Sequence, residues 1–193
     1  MSFSSFASLP EVHRAVFPSP LGPVGLVQRG AKLARIVLKA DPAAFPYEVE
    51  RTYGMAGREA PDRFDDVRRQ LEEYFDGKRL VFRMPLDLDQ GTPFQRSVWR
   101  ALLDIPYGQK VSYKDVAQAI GHPSAMRAVG SANGANPLPI VVPCHRVVAS
   151  GGAIGGYSGG LDVKEKLLEL ESRTRSRAAT FGMLPDDPAR PRF

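Results

Sequence analysis

The stretch that decides the fold is "SYKDVAQAIGHPSAMRAVGSANGAN", residues 112–136, because it encodes two short helices with a tight break between them. Ser112 can cap the first helix and Gly121 can end it. The three residues that follow form a turn, and a second helix is predicted over 125–136 with Ser124 as its cap. Two helices joined by a turn of three or four residues are typical of a helix-turn-helix, although an ordinary helical hairpin has the same pattern.

Further helices are predicted on both sides of this pair. Over residues 89–108, Thr92 and Gln95 have the spacing of a capping box, and Pro93 suits the first helical position. Downstream, the segment "LDVKEKLLELE" at 161–171 reads as a final helix. The second half of the chain is therefore predicted to be mostly helical.

The first half has a different pattern. Residues 1–40 alternate apolar and polar side chains between turn residues, which predicts an antiparallel meander of short strands. An amphipathic helix is predicted over 61–77, ending at Gly77, and another strand over 80–89. The predicted fold is α+β: a small N-terminal antiparallel sheet with a helix, then a mostly helical C-terminal domain that holds a helix-turn-helix and a short strand and loop.

These patterns divide the chain into three segments. Residues 1–88 form a supporting α/β domain, and residues 89–172 form a domain that carries the candidate chemistry. Residues 173–193 are rich in arginine and proline and show no period, so we expect a poorly packed tail.

Composition limits the functional classes. The net charge of the 193 residues is +5, and the positive balance lies entirely after residue 90, which is compatible with a polyanionic partner. No apolar run reaches the length of a membrane span, and no signal peptide is visible, so we expect a cytoplasmic protein without a membrane partner. A single cysteine excludes an internal disulfide and argues against structural zinc, and we expect no metal site.

The single cysteine, Cys144, lies between Pro143 and His145. A free thiol is only a few per cent ionised at neutral pH, so a nucleophilic cysteine needs a nearby base. Neighbouring side chains of a regular strand face opposite sides, so His145 can serve Cys144 only if Pro143 breaks the strand or a water molecule bridges the two. The alternative is that Cys144 is a small buried hydrophobic residue. Four downstream acids could orient His145, namely Asp162, Glu165, Glu169 and Glu171.

A glycine-rich loop follows the cysteine, with six glycines over residues 151–160. It contains Gly-Tyr-Ser-Gly-Gly at 156–160, which matches the G-x-S-x-G pattern of a serine-hydrolase elbow. That elbow requires a histidine later in the chain, and every histidine precedes Ser158. The serine-hydrolase interpretation is therefore rejected.

The run Pro-Cys-His-Arg-Val at 143–147, followed by the glycine loop and the last helix, lies in a segment, 136–171, that resembles the active-site region of O6-alkylguanine-DNA alkyltransferases. This family is also called the methylated-DNA–protein-cysteine methyltransferases. Residues 91–137 are similar to the DNA-binding half of the family. The N-terminal half resembles it only in length and plan.

The resemblance implies direct-reversal DNA repair. The expected reaction is a single-turnover, irreversible transfer of an alkyl group, chiefly methyl, from O6 of guanine and also from O4 of thymine to Cys144. The damaged base would be flipped out of double-stranded DNA that is bound through its minor groove. No cofactor is implied, and we expect a monomer in the cytoplasm that associates with the nucleoid through DNA. The zinc site of some family members cannot form with one cysteine.

For the chemistry, the resemblance implies that Cys144 is the acceptor, that His145 is the base acting through a water molecule, and that Glu171 orients His145. Asn136 would brace the turn around the site. Three further donors are implied near the departing guanine and the cysteine, namely Tyr113, Lys164 and Ser158.

The resemblance also implies a guanine pocket and a DNA-binding face. The pocket residues are Tyr157, Ser158, Val147 and Gly159. Arg127 matches an arginine finger that enters the duplex where the base has left. Small residues around it, which suit close approach to a backbone but read bases poorly, join Tyr113 at the DNA: Ala125, Ala128, Gly130 and Ser131.

Two other functions remain open at this point. An alkyltransferase-like protein would flip and mark lesions without transfer, but such proteins carry tryptophan at the acceptor position, where this chain has Cys144. A helix-turn-helix regulator with a structural cysteine would bind palindromic sequences and show no thiol chemistry.

Overall fold

The computed structural model describes residues 10–180, with side chains up to residue 177. Its first half contains a sheet of four strands in the order β3-β2-β1-β4. The strands are β1 Val12–Phe17, β2 Val24–Arg29, β3 Lys32–Leu38 and β4 Arg58–Glu59. The predicted antiparallel meander is confirmed for β1 to β3. The sequence did not predict β4, which pairs in parallel with β1.

Two helices cover this sheet. Helix α1, Phe45–Tyr53, was missed by the sequence analysis; it buries Phe45 against Gly25 of β2, where a β-carbon would lie 2.6 Å from the Phe45 ring. The helix predicted over 61–77 is split into a 3₁₀ turn, Pro61–Phe64, and α2, Asp65–Phe75. Gly77 ends it as predicted, with the positive φ of 69° that glycine tolerates best.

The strand predicted over 80–89 is wrong. Only an isolated bridge forms there, between Leu86 and Leu33 of β3. Pro85 has no N–H to donate to a ladder, which limits the pairing to the bonds on either side of it. Asp87 of this segment is buried, and its carboxylate lies 2.6 Å from Arg29 Nη2.

The helix-turn-helix forms as predicted, with changed ends. Its helices are α4, Tyr113–Ala119, and α5, Met126–Gly134, and α3, Pro93–Leu103, packs against both. The predicted capping box of Thr92 and Gln95 is present, and Ser112 caps α4. Ser124 is not the cap of α5: a turn in which Ala125 N–H donates to the His122 carbonyl extends the break, so Ala125 occupies the cap position without a side-chain bond.

The last helix is longer than predicted. Helix α6 is Leu161–Thr180, so the first eight residues of the expected poorly packed tail are helical. The helix passes close to Gly108, where a β-carbon would lie 3.2 Å from Arg175 Cδ. The remainder of the predicted tail, 181–193, lies outside the described residues.

One hydrophobic cluster joins the two halves of the chain. It combines residues of the sheet and α2 with residues of α3, α5 and α6, for example Leu26, Ile36, Leu71, Val98, Leu102, Val129 and Leu167. The N-terminal half is therefore packed directly against the segment that carries Cys144. Within residues 10–180, no helix is long and apolar enough to cross a membrane.

Candidate active site

The backbone before Cys144 is irregular and held by side chains. Ile140 has a φ of 75°, a left-handed conformation that a β-branched residue adopts rarely and at a cost of about 1–3 kcal/mol. The Asn136 amide spans this turn: its Nδ2 donates to the Val142 carbonyl at 2.8 Å, and its Oδ1 accepts from Leu138 N–H at 3.0 Å. Asn136 thus links the backbone on the two sides of Ile140.

The strand does break at Pro143. Residues Cys144–Arg146 form a single 3₁₀ turn, followed by the short strand β6, Val147–Val148, which pairs in parallel with β5, Val111–Ser112. The alternating geometry of a strand therefore does not separate Cys144 from His145. Asn133, to which the sequence analysis gave no role, donates from Nδ2 to the Cys144 carbonyl at 3.3 Å.

The Cys144 thiol is 1% exposed. Burial raises its pKa to about 11, although the Asn136 amide, the Tyr157 hydroxyl and the charge of Lys164 act in the opposite direction. At neutral pH the resting group is accordingly a protonated thiol. A base and a change of surroundings are both needed before it can act as a nucleophile.

His145 and Glu171 form a fully buried pair. His145 Nε2 lies 2.9 Å from Glu171 Oε1, while Nδ1 of the same ring is buried and has no hydrogen-bond partner among the described residues. Burial lowers the pKa of His145, partly offset by its bond to Glu171, so the ring is neutral at pH 7. For Glu171, burial acts to raise the pKa, but His145 and Arg146 outweigh it and leave the carboxyl well below its usual range. A carboxylate only accepts, so Nε2 carries the proton and Nδ1 holds the free lone pair.

Arg146 is the residue of the motif to which the sequence analysis assigned no role. Its Nε lies 3.0 Å from Glu171 Oε2 and its Nη2 lies 2.9 Å from Oε1, a bidentate arrangement. Its Nη1 donates to the Ile105 carbonyl at 2.6 Å. The guanidinium therefore neutralises the buried carboxylate that orients His145. The sequence feature that could have identified Arg146 is its position inside the run Pro143–Val147.

Tyr74 of α2 was also missed by the sequence analysis. Its hydroxyl donates to Glu171 Oε1 at 2.8 Å, and the side chain is fully buried. Tyr74 falls within the amphipathic helix predicted over 61–77, and amphipathic spacing gives no sign of a polar contact. We call Tyr74, Cys144, His145, Arg146 and Glu171 the Cys144 cluster.

The implied donor Lys164 and the implied pocket residue Tyr157 both lie beside the thiol. Lys164 is buried on α6, and its Nζ donates to the Val147 carbonyl at 2.6 Å. Burial lowers the pKa of Lys164, and the proximity of Cys144 counteracts this. Burial raises the pKa of Tyr157, as does its position next to Cys144. The Tyr157 hydroxyl faces the sulfur without a bond of good geometry to any described group.

Tyr113 connects the helix-turn-helix with the site. It is the first residue of α4, and burial together with the proximity of Cys144 raises the pKa of its phenol. A β-carbon at Gly155 would lie 3.2 Å from the Tyr113 hydroxyl, which places this group against the glycine loop. Gly130 of α5 packs on the other side of the ring.

The other residues predicted for the guanine pocket, Ser158, Gly159 and Val147, lie in two separate places. Ser158 and Gly159 line a cleft of about 240 Å³ between β3 and the end of α5, together with Asn136. No hydrogen bond joins Ser158 to Cys144 within residues 10–180. Val147 is fully buried and contributes its carbonyl to Lys164.

Four of the implied DNA-binding residues lie on α5, Ala125 is its cap residue, and Tyr113 lies on α4. Arg127, Ala128 and Ser131 are exposed, Ala125 and Gly130 are half-buried, and the opposite side of the helix buries Val129, Ala132 and Asn133. The Arg127 guanidinium forms no ion pair with any group in residues 10–177. We call this exposed side, from Ala125 to Ser131, the outer face of α5.

Comparison with known proteins decides the family. The sequence models of two domains match almost the whole described chain: "6-O-methylguanine DNA methyltransferase, ribonuclease-like domain" over residues 12–88, and "6-O-methylguanine DNA methyltransferase, DNA binding domain" over residues 93–173. The chain belongs to this family. The resemblance of the Pro143–Val147 region is thereby confirmed.

Individual methyltransferases are similar over most of their length. The methylated-DNA–protein-cysteine methyltransferase of Mycobacterium tuberculosis is 44% identical over 167 residues, which cover 86% of this chain and 94% of the relative. The constitutive enzyme of Bacillus subtilis is 42% identical over 155 residues, covering 79% and 91%. The crystal structure of the M. tuberculosis protein in complex with DNA superposes with a TM-score of 0.75 at 42% identity, covering 84% of this chain and 94% of that one. The alternatives of a regulator or a lesion-binding protein without transfer are not favoured.

Proposed function

We propose that this methyltransferase repairs DNA by direct reversal, moving a methyl group from O6 of guanine, and also from O4 of thymine, to Sγ of Cys144. The observation that carries the proposal is the buried thiol next to His145, whose Nε2 is held by Glu171 and whose Nδ1 is free to accept a proton. A thioether is stable, so the transfer is irreversible and each molecule acts once. The reaction requires no cofactor.

The proton of the thiol passes to His145 Nδ1 through one water molecule. At pH 7 a thiol with a pKa of about 11 costs about 5 kcal/mol to ionise, which a positioned base must offset. Glu171 orients the ring and stabilises the imidazolium that forms, and Arg146 keeps the carboxylate ionised. The Lys164 ammonium stabilises the thiolate through its charge.

The thiolate attacks the methyl carbon in line. The sulfur–carbon bond forms while the carbon–O6 bond breaks, and guanine leaves with the electron pair. Anionic guanine is a poor leaving group, so donors around it lower the barrier. We assign this role to the Tyr113 and Ser158 hydroxyls, with Tyr157, Val147 and Gly159 forming the pocket. Uptake of one proton by the departing base balances the proton lost by the thiol.

A buried acceptor requires that the damaged base leave the duplex. Cys144 is 1% exposed, and O6 of guanine lies inside paired DNA, so the nucleotide is flipped at a cost of a few kcal/mol. The outer face of α5 supports a role at the minor groove, because its small residues allow close approach and Arg127 projects from them unpaired. We extend the proposal to a monomer that acts in the cytoplasm and is held to the nucleoid by these contacts.

Intact-mass analysis after mixing with a duplex that contains O6-methylguanine tests the proposal. We expect a gain of one methyl group per molecule, in step with the lesion consumed, and peptide mapping should place it on Cys144. Cys144→Ser is the matched control and should gain nothing while still binding the duplex. No gain by folded, DNA-bound wild-type protein would contradict the proposal.

A further inference from the structure

The N-terminal half contributes one polar group to the Cys144 cluster. Tyr74 lies on α2, within residues 12–88, and its hydroxyl reaches Glu171 on α6 and lies 3.5 Å from His145 Nε2. The Tyr74 hydroxyl and His145 Nε2 each point a hydrogen at the Glu171 carboxylate. Since a carboxylate oxygen can only accept, the Tyr74 hydroxyl donates to it.

Three residues donate to one oxygen, Glu171 Oε1. Tyr74 lies at 2.8 Å, His145 Nε2 at 2.9 Å and Arg146 Nη2 at 2.9 Å, whereas Oε2 receives Gly108 N–H at 2.9 Å and Arg146 Nε at 3.0 Å. A carboxylate oxygen has two lone pairs, so the donors on Oε1 compete. Each donor therefore reduces the negative charge that the oxygen presents to the others.

The position of the Tyr74 hydroxyl is fixed by packing. Its ring contacts three aromatic neighbours, with centroid distances of 5.7 Å to Phe75, 5.4 Å to Phe82 and 5.9 Å to Tyr107. The chain just past α2 is also close to α6, since a β-carbon at Gly77 would lie 2.6 Å from Thr174 Oγ1. Few rotamers are open to a fully buried ring in such surroundings.

We propose that Tyr74 is a positioning residue for proton transfer: its hydroxyl holds Glu171 Oε1 in line with His145 and limits the charge that reaches the imidazole, so that His145 stays neutral and ready to accept the thiol proton. This inference rests on the proposed function of the His145–Glu171 pair. It gives the N-terminal half a part in the chemistry in addition to its part in the core.

The charges that act on the imidazole come from Glu171, Arg146 and Lys164, and Tyr157 lies close enough to Cys144 and Glu171 to interact with both. Helix α6 presents Glu171 and Lys164, and the 3₁₀ turn presents Arg146 and Cys144. Tyr107 contacts the Tyr74 ring and the guanidinium of Arg146. Loss of one neutral donor from Oε1 leaves all of these charges in place. The carboxylate then stabilises the imidazolium more strongly, and the imidazole becomes more basic.

Tyr74→Phe tests this inference, because it removes the hydroxyl and keeps the ring. The matched control is Tyr53→Phe, which removes a hydroxyl that lies 3.4 Å from the Ala34 carbonyl, away from the Cys144 cluster. Two quantities are measured from about pH 5 to about pH 9. One is the single-turnover methyl-transfer rate with saturating duplex containing O6-methylguanine, and the other is the ¹⁵N titration of the His145 imidazole in free protein, identified with the help of His145→Ala.

We expect both midpoints to rise by about half a pH unit or more in Tyr74→Phe, so the rate falls off at a higher pH than in wild type. Well above the midpoint, the rates should agree within about threefold, since a more basic imidazole accepts a proton at least as well. Tyr53→Phe should match wild type in both measurements.

The inference would be overturned if a folded Tyr74→Phe variant kept the wild-type midpoints of the rate profile and of the ¹⁵N titration. It would also be overturned if the variant transferred methyl more slowly by the same factor at every pH, because that result indicates a purely structural role. Failure of the underlying mechanism has a different signature. The wild-type transfer rate would then show no fall at low pH, and His145→Ala would transfer at the wild-type rate. In that case proton transfer through His145 and Glu171 is wrong, and the assignment of Tyr74 is overturned with it.

Discussion

The Cys144 cluster and the outer face of α5 have opposite compositions. The cluster places a thiol, an imidazole, a carboxylate and a guanidinium in an environment almost without solvent, where each charge has a partner. The outer face of α5 carries small residues and the exposed Met126 around one exposed arginine, which forms no ion pair within residues 10–177. Under the proposed function, reactivity depends on burial and fixed geometry, whereas contact with DNA depends on access.

The largest effect is expected on the transfer rate when His145, the proposed general base, is removed. His145→Ala should slow transfer by about 10²- to 10⁴-fold near neutral pH, because the thiol then ionises without a positioned base. Its rate should rise with pH toward the thiol pKa of about 11, where the thiolate forms unaided. The wild-type rate should instead be flat above the lowered pKa of His145. Rate measurements across pH at saturating duplex distinguish the two, and a pH-independent loss in His145→Ala would mean that His145 is structural.

The next largest effect is expected on the free energy of unfolding when the Cys144 cluster loses a charged partner. Arg146→Ala leaves the Glu171 carboxylate buried without its bidentate partner, so the free energy of unfolding should fall by about 3–5 kcal/mol. Arg127→Ala, on the exposed face, is the matched control and should change it by no more than about 0.5 kcal/mol. Urea unfolding measures both. Similar losses in the two variants would remove the contrast between the regions.

A smaller effect is expected from the product itself. Methylation adds a carbon to a sulfur that is 1% exposed, and overpacking of this kind typically costs about 1–3 kcal/mol. The methylated protein should therefore melt at a lower temperature than the unmodified one. Cys144→Ser treated with the same duplex should show no change, and an unchanged or raised melting temperature of the methylated wild type would count against close packing around the thiol.

The smallest effect is expected on the salt dependence of DNA binding when the charge of Arg127 is removed. Arg127→Ala should weaken binding to all duplexes alike and reduce the slope of log affinity against log salt by roughly one unit. Arg127→Lys should restore most of that slope, because it keeps the charge and alters the shape. Binding isotherms at several salt concentrations provide the slopes. A slope that does not change in Arg127→Ala would place Arg127 away from the phosphates.

The sequence predicted most of what depends on local pattern. Caps, turns and apolar spacing indicated α3, α4 and the three-stranded meander, and Pro143 indicated the break beside Cys144. The missed features depend on contacts between distant segments. Tyr74 and Glu171 are 97 positions apart, and an apolar stripe does not show which hydroxyl meets a carboxylate. The strand predicted over 80–89 failed for a related reason, since pairing depends on the neighbouring edge as well as on composition.

The central claim, that the chemistry and the DNA contact reside in separate regions, is tested most directly by comparing two substrates. Transfer rates are measured for duplex O6-methylguanine and for the free O6-methylguanine base, in wild type, His145→Ala and Arg127→Ala. A free base needs no flipping, so Arg127→Ala should slow the duplex reaction strongly and the free-base reaction little, while His145→Ala should slow both by a similar factor. Equal slowing of the two substrates in Arg127→Ala would show that Arg127 supports the pocket, and it would contradict the separation.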